Sequence, residues 1–452
     1  MKITFLGGAE TVTGSKFLVA SGDTRVLIDC GLFQGYKWLR ERNWETPSLD
    51  IDRLDAIVLT HAHLDHSGYL PVMYRKGYRG PVYCHDGTVA LCGVLLPDSG
   101  HLQEEDARYY TRHRIGRHAH PEPLYDRACA EQCLSLLRAV PFDQPFRVGS
   151  LQLQLQRAGH ILGAGSVIVE GEGKRVGFSG DVGRPDDIFM RPPDPLPPLD
   201  LLMLESTYGD RRHDPTDPFD QLAEVVNETA RRGGVLLIPS FAVGRAQVLQ
   251  HMLAKLIDDG RIPKLPIFLD SPMAIDVTEI YWQFHAEHRL SRDECQRLGR
   301  RVQQVKSVEA SQALADQAFP HIIIAGSGMV TGGRILHHLK RLLPEPKTSV
   351  LLCGYQAGGT RGAKLEQGAE VVRIHGEWIP NRANIRMIEG LSGHADYVQM
   401  GAWLARSQLQ PSTQIKLVHG EPEALEGMRD YLRQTTPFDV SVAGYRHILT
   451  LD

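Results

Sequence analysis

The chain has 452 residues, 42% hydrophobic and 23% charged, with a formal net charge of −4 at pH 7 and an isoelectric point near 6.6. That length predicts two or three domains with separate cores. No apolar run approaches the ~18 residues of a membrane span, so no membrane-spanning helix is expected, and the slightly acidic balance weighs mildly against a nucleic-acid binder, whose phosphates would need a local basic cleft and metal ions. The apolar stretch at Met1–Gly8 is too short for a signal peptide. Seven cysteines (30, 84, 92, 129, 133, 295 and 353) are scattered and form no Cys-x-x-Cys pair. They predict small buried hydrophobes and a cytoplasmic protein, with neither a disulfide framework nor a cysteine zinc site.

The first third reads as strand-rich. Lys2–Leu6, Ser15–Ala20 and Arg25–Ile28 are short alternating runs, and Ala56–Thr60 is a fully apolar strand that ends at a histidine-rich loop. Pro81–Cys84, Leu151–Leu155, Ser166–Glu170 and Arg175–Ser179 add strands, while the charged pattern between Pro97 and Leu137 predicts helix. Five prolines from Pro192 to Pro198 mark a stiff extended loop. Asp217-Pro218 then starts a helix and Gly233-Gly234 stops it. Strands at Val235–Pro239, Pro266–Leu269, His321–Ala325 and Ser349–Cys353, with a helix at Gly244–Asp258, predict an open, mostly parallel sheet. From Asn384 two strand-loop units recur: Ile385–Ile388 before Ser392-Gly393-His394-Ala395-Asp396, and Gln414–Val418 before His419-Gly420. No low-complexity tract or repeat of fixed period interrupts them.

The strongest chemical signal is His61-Ala62-His63-Leu64-Asp65-His66, directly after a buried strand. Imidazole and carboxylate are the ligands zinc takes where cysteine is absent, and this loop can face two neighbouring ions. One loop cannot fill two tetrahedral shells, so other strand ends must contribute. His160 after Gly159, Asp181 after Ser179-Gly180 and His419 after Val418 stand in that context. Each alone reads more readily as a turn residue than as a ligand, and Asp29, at the end of Val26-Leu27-Ile28, as readily caps a turn. A carboxylate such as Asp181 can bridge two cations.

The ordered series Asp29, His61-x-His63-x-Asp65-His66, His160, Asp181 resembles the five-part signature of the metallo-β-lactamase superfamily. The resemblance implies an αββα sandwich with two zinc ions per chain. His61, His63, His160 and Asp181 would hold one ion; Asp65, His66, Asp181 and His419 the other. Asp29 would orient a ligand or the attacking water. Glu205 in Leu204-Glu205-Ser206-Thr207-Tyr208-Gly209, His394 in Ser392-Gly393-His394-Ala395-Asp396 and His419 in Val418-His419-Gly420-Glu421 resemble motifs A, B and C of the β-CASP group of RNA-processing nucleases. The resemblance covers nearly the whole chain. It implies a Rossmann-like β-CASP domain at 210–384, inserted into a metallo-β-lactamase domain formed by 1–209 and 385–452. No KH-type module precedes it and no long extension follows, so a minimal two-domain nuclease is expected.

Two loops of the inserted segment are candidates for RNA contact. Ala325-Gly326-Ser327-Gly328-Met329 follows a strand and is expected to open a helix, where backbone N–H groups can cradle phosphate; a tight structural turn fits it equally. Ser240-Phe241-Ala242-Val243-Gly244-Arg245 offers an aromatic for a base and an arginine for phosphate, though a buried Phe and a solvated Arg fit it equally. Ser392 of motif B joins this set, while the basic segment Arg112–His118 reads as a solvated arm.

The chemistry expected is attack on a phosphodiester by water activated at zinc, with coordinated water titrating near pH 7. His394, positioned by Glu205, would protonate the 3′ leaving oxygen, and Asp29 and Asp65 would support the nucleophile. The substrate implied is single-stranded RNA, cut internally or from the 5′ end, giving 5′-phosphate and 3′-hydroxyl ends. DNA as substrate, a lactonase- or glyoxalase-type small-molecule hydrolase and a non-catalytic RNA-binding subunit are the alternatives. The sequence leaves a homodimer open.

Overall fold

In a computed structural model, the structure describes residues 1–45, 49–113, 122–314, 316–317, 320–354, 356, 358–388 and 390–451. They form two compact units, Met1–Arg212 with Gly393–Asp452, and His213–Ser392.

The first unit is built on two mixed sheets. One runs in the order Ile448–Thr450, Lys2–Gly7, Lys16–Ser21, Thr24–Ile28, Ala56–Val58, Val82–Cys84, Leu137–Ala139. The other runs Asp439–Val442, Gln414–Val418, Leu201–Glu205, Lys174–Phe178, Gly165–Gly171, Leu151–Arg157, Phe146–Val148. The strand Leu151–Arg157 shows why they stack: Leu151, Leu153 and Leu155 point inward, while the intervening glutamines are only partly buried. Those leucines meet Val167, Val169, Phe178 and Met203 of their own sheet and Ile3, Phe5, Phe17, Val26 and Val58 of the other in one core. Outside the second sheet, helices Tyr397–Arg406 and Pro422–Thr435 bury Met400, Trp403, Leu404, Met428 and Leu432 against Leu202, Leu204 and Leu417.

The helix expected to begin near Pro97 starts at Asp86 and continues through the proline to His113. Proline inside a helix costs about 3 kcal/mol. Leu91, Cys92, Leu95 and Leu96, all buried around it, offset that cost. The basic segment from residue 114 to 118 lies outside the described residues.

In the second unit, strands run Val302–Gln304, Ile267–Asp270, His321–Ala325, Val235–Pro239, Ser349–Cys353, Asn384–Ile388, every pairing parallel. The strand at Asn384–Ile388, which the sequence boundary at 385 put largely in the other domain, pairs with Ser349–Cys353 here. A hairpin, Val371–Ile374 with Glu377–Pro380, was not legible as strand. Helix Pro218–Arg231 begins as expected, Asp217 accepting from the Phe219 amide at 2.8 Å. Ile335, Leu336 and Leu339 of helix Arg334–Leu342 pack on Leu237, Ile323 and Val350. Among the described residues no helix is long and apolar enough to cross a membrane.

Candidate active site

Parallel pairing brings the chemistry together. Thr24–Ile28 runs parallel to Ala56–Val58, and Lys174–Phe178, Leu201–Glu205 and Gln414–Val418 run parallel to one another. Their carboxyl ends therefore share one edge of each sheet, the position where open α/β sheets place ligands. Asp29, the His61–His66 loop, Asp181, Glu205 and His419 all leave those ends. Gly159 and Gly180, each preceding a candidate ligand, have φ of +73° and +58°. A Cβ would lie 2.5 Å from the Arg191 carbonyl oxygen at the first and 2.8 Å from Thr60 Cβ at the second. Only glycine fits either turn.

Three imidazoles and a carboxylate form the first group. His63 Nδ1 lies 3.1 Å from His61 Nε2 and 3.2 Å from His160 Nε2. Asp181 Oδ2 is 3.4 Å from His61 Nε2 and 3.6 Å from His160 Nε2. His160 Nδ1 donates to the Gly393 carbonyl at 3.0 Å, which leaves the Nε2 lone pair facing the cluster. Burial, with His66, depresses the pKa of His61; burial, with His61, takes His63 to about 3; burial, with His394, holds His160 well below its ordinary value. Neutral imidazoles therefore point lone pairs at one small volume, an arrangement that repels itself unless a cation fills it. These four residues could hold a metal ion.

The second group is Asp65, His66 and His419. His66 Nε2 lies 3.1 Å from His419 Nε2, which lies 3.4 Å from Asp65 Oδ2. Asp181 reaches this group with its other oxygen: Oδ1 is 3.2 Å from His66 Nε2 and 3.5 Å from His419 Nδ1. That Oδ1 is buried and accepts no hydrogen bond among the described residues. Burial opposes charge on His66, but Asp181 and Asp29 raise its pKa well above the usual value. Asp29 is the anchor beneath: it accepts from His66 Nδ1 at 2.7 Å and from the Thr60 amide and hydroxyl at 2.7 and 2.9 Å. Asp29 and His419 both hold left-handed backbone, at φ 59° and 48°. The strain is fixed by amide bonds, Asp29 to the Val58 carbonyl and His419 to the Gly8 carbonyl.

Glu205 and His394 adjoin both groups. His394 Nδ1 lies 3.2 Å from Glu205 Oε1, and Asp181, Glu205 and His394 form a third candidate cluster. Glu205 is buried, and its carboxylate also accepts from the amides of Val182 and Thr207 at 2.9 and 3.1 Å. Burial opposes protonation of His394, but the Glu205 charge and hydrogen bond outweigh it and lift the pKa to about 9. The His394 ring sits 4.4 Å from that of His160, centroid to centroid.

The remaining candidates lie in the second unit. Ser240 is buried, with its hydroxyl on the Phe241 carbonyl at 3.0 Å, while Phe241 is 40% exposed. Arg245 opens helix Arg245–Asp258. Contrary to expectation, the Gly326-Ser327-Gly328 turn does not itself open a helix; the next helix starts at Arg334. Ser327 folds the intervening loop onto itself, its hydroxyl accepting from the Thr331 and Gly332 amides at 3.0 and 3.2 Å. Gly328 approaches the Phe241 ring so closely that a Cβ would lie 2.7 Å away. Ser392 is buried at the end of this unit.

The chain matches the Beta-lactamase superfamily domain over residues 24–237, the Beta-Casp domain over 246–365, and the Zn-dependent metallo-hydrolase RNA specificity domain over 378–443. It is 39% identical over 437 residues to Ribonuclease TTHA0252 of Thermus thermophilus, covering 94% of each chain. This chain belongs to the β-CASP family. It is also 33% identical to Transcription termination factor FttA of Methanocaldococcus jannaschii, across 96% of this chain and 69% of that protein. A crystal structure of a protein of unknown function from Enterococcus faecalis V583 shares the fold, with a TM-score of 0.54 at 14% identity, covering 100% of this chain and 99% of that one.

The β-CASP site contains groups that sequence reasoning did not single out. Thr60 donates to Asp29 and lies 3.1 Å from His61 Nδ1. Thr207 Oγ1 lies 3.1 Å from His419 Nδ1, and the Gly393 carbonyl fixes His160. Thr60 and Thr207 adjoin the motifs, a signal that was available. A carbonyl carries no residue identity, so Gly393 was not.

Proposed function

We propose that this protein is a zinc-dependent ribonuclease that holds two zinc ions and hydrolyses single-stranded RNA to 5′-phosphate and 3′-hydroxyl ends. The observation that carries this reading is the placement of the Glu205–His394 pair against Asp181, whose two oxygens face two separate donor groups. A simple zinc hydrolase needs the donors but not the pair. In a tetrahedral zinc shell with bonds of 2.0–2.1 Å, neighbouring donor atoms stand ~3.3 Å apart. The 3.1, 3.2, 3.4 and 3.6 Å separations in the first group fit that shell. The unpartnered Asp181 Oδ1 fits a second cation beside it.

Bound zinc supplies a nucleophile at neutral pH and positive charge against the phosphate oxygens. The chain's own residues do the rest. Asp29 fixes His66 and Gly393 fixes His160, so the donors are oriented before any ion arrives. Asp65 would hold the second ion with His66 and His419 and so help to position the attacking water. Glu205 holds His394 Nδ1, so its Nε2 is the atom that delivers a proton to the departing 3′ oxygen. Phe241 stacks on a base, Arg245 meets a phosphate, and Ser240, Ser392 and the Gly326-Ser327-Gly328 turn shape the RNA path. We place the inserted domain at His213–Ser392, the compact unit that keeps the strand Asn384–Ile388 with its own sheet. All seven cysteines are free thiols, which supports a reducing, cytosolic setting.

Purified, zinc-loaded protein with end-labelled RNA and DNA of one sequence tests the reading. RNA should be cleaved to 5′-phosphorylated products, and the product ladder separates internal cuts from 5′ trimming. Preferential cleavage of DNA, or full activity after exhaustive chelation, would overturn it.

A further inference from the structure

The segment that leaves the floor of the metal centre carries aromatic and cationic side chains that the hydrolytic chemistry does not use. Its first residues lie against the histidine loop. Cys30 N donates to the His66 carbonyl at 2.7 Å and Leu32 N to the Leu64 carbonyl at 2.8 Å. Asn43 then closes the loop by bonding both the Phe33 amide and the Phe33 carbonyl, at 2.9 and 2.7 Å. Between and beside these pins, Tyr36, Trp38 and Trp44 are 65%, 54% and 60% exposed. Two of the five tryptophans in the chain are thus turned to solvent on one short loop, wound into helix Lys37–Glu41 and the 3-10 turn Arg42–Trp44. A cluster of exposed rings on a fixed loop marks an interaction site.

The chemistry of the loop selects the occupant. Its one aliphatic side chain, Leu39, is buried, so the exposed apolar surface is aromatic. The Arg42 guanidinium lies 4.8 Å from the Trp38 ring centroid and 4.0 Å from that of Tyr445, so the stack is already built. Lys37, Arg40, Arg42 and the adjoining Arg446 outnumber Glu41 and Glu45, on a chain whose net charge is −4. Glu41 pairs with Lys37 at 3.7 Å and Glu45 with Arg446 at 2.8 Å, which leaves Arg40, near Asp106, and Arg42 as the cations of the loop in excess of its own carboxylates. Flat rings interleaved with cations are the surface that takes unpaired bases along with their phosphates.

We infer that the Tyr36–Trp44 loop is a second contact surface for single-stranded RNA, on which bases flanking the scissile bond stack against Trp38, Trp44 and Tyr36 while Arg40 and Arg42 meet the backbone. This rests on the ribonuclease reading. It makes the loop a determinant of RNA affinity and substrate length rather than of bond cleavage.

The test compares wild type, the double variant Trp38→Ala/Trp44→Ala and the double variant Trp38→Phe/Trp44→Phe. The probes are a 20-nucleotide single-stranded RNA, the same RNA with abasic flanks, and bis(p-nitrophenyl) phosphate. The alanine variant should bind the 20-mer roughly 10- to 100-fold more weakly, the range expected for loss of one or two stacked bases. The phenylalanine variant should stay near wild type, wild type should lose similar affinity for the abasic RNA, and hydrolysis of the small diester should not change. Unchanged binding of the 20-mer by the alanine variant overturns the inference. So does an equal loss on the small diester, or a changed sedimentation coefficient, which would make the loop a protein contact. A wild type that hydrolyses the small diester but neither binds nor cuts RNA refutes the ribonuclease reading itself, a different result from any of these.

Discussion

His394 Nδ1 stands 3.2 Å from Glu205 Oε1, and the same buried carboxylate is held by the amides of Val182 and Thr207. The pair is thus locked to the backbone at its acidic end, while the imidazole is presented to the donor cluster.

If His394 donates the leaving-group proton, His394→Ala should lower turnover by roughly 10²–10⁴-fold with metal content and RNA affinity nearly intact. RNA whose 3′ leaving oxygen is replaced by sulfur needs little protonation and should be cleaved by this variant with far less loss. Elemental analysis of the variant is the decisive control, since loss of an ion would make His394 a ligand.

Glu205→Gln should behave differently. Its carboxylate oxygens face three N–H donors, so a side-chain amide must turn its own N–H₂ toward at least one of them. Turnover should fall less than in His394→Ala, but the melting temperature should fall more, because a buried donor left without an acceptor costs about 1–3 kcal/mol. Calorimetry beside single-turnover kinetics separates the two effects.

Metal occupancy should follow the donor groups. His63→Ala should reduce the two ions expected per chain and abolish hydrolysis. Asp29→Asn, which touches no donor atom but loses its charge against His66, should weaken metal affinity by roughly 10- to 100-fold. Competition with a graded chelator series measures both.

The end chemistry follows from a water nucleophile. RNA with 2′-O-methyl groups should still be cut, more slowly where the methyl crowds the site. A 2′,3′-cyclic phosphate among the products would show that the 2′-hydroxyl attacked instead.

Acid should unfold the second unit through Asp270. This buried carboxylate bonds Arg334 Nη1 and His338 Nε2, each at 2.6 Å, together with the Ser311 hydroxyl. Burial pushes its pKa up, but hydrogen bonds from His338, Ser311 and Arg334 outweigh that and hold it below 3.8. The stabilisation is therefore complete above the unfolded-state value of about 3.9 and is lost as pH falls through the lower folded value. Asp270→Asn should remove that part of the pH dependence, and at pH 7 it should cost about 3–5 kcal/mol by leaving Arg334 without its counter-charge. Urea unfolding from pH 7 to pH 2 reads both.

The metal half of the site was legible because its key donors crowd into six positions, His61 to His66, where a run of satisfied surface histidines is improbable. His160, Asp181 and His419 were ambiguous alone, since a polar residue after a strand is ordinary turn chemistry. They gained meaning only in series. Glu205 and His394 were legible through family resemblance, not physics: no local pattern says that residues this far apart in the chain will meet. Fold errors had the same origin. Pro97 reads as the start of a helix until the buried leucines ahead of it are seen, and Asn384–Ile388 is a strand whose sequence does not name its sheet. The Gly-Ser-Gly turn fitted a phosphate cradle and a structural turn equally, because a serine able to satisfy its own loop cannot be told in sequence from one that awaits a ligand.

Because the second unit interrupts the first, the donors arrive in two instalments during translation. Everything through Asp181 leaves the ribosome before the insertion, whereas His394 and His419 follow it. At ordinary elongation rates that interval is on the order of ten seconds to a minute. Throughout it the emerging polypeptide lacks His394 and His419, so on the proposed mechanism it cannot yet cleave the message that encodes it. On that mechanism the insertion delays the moment at which the chain becomes a nuclease.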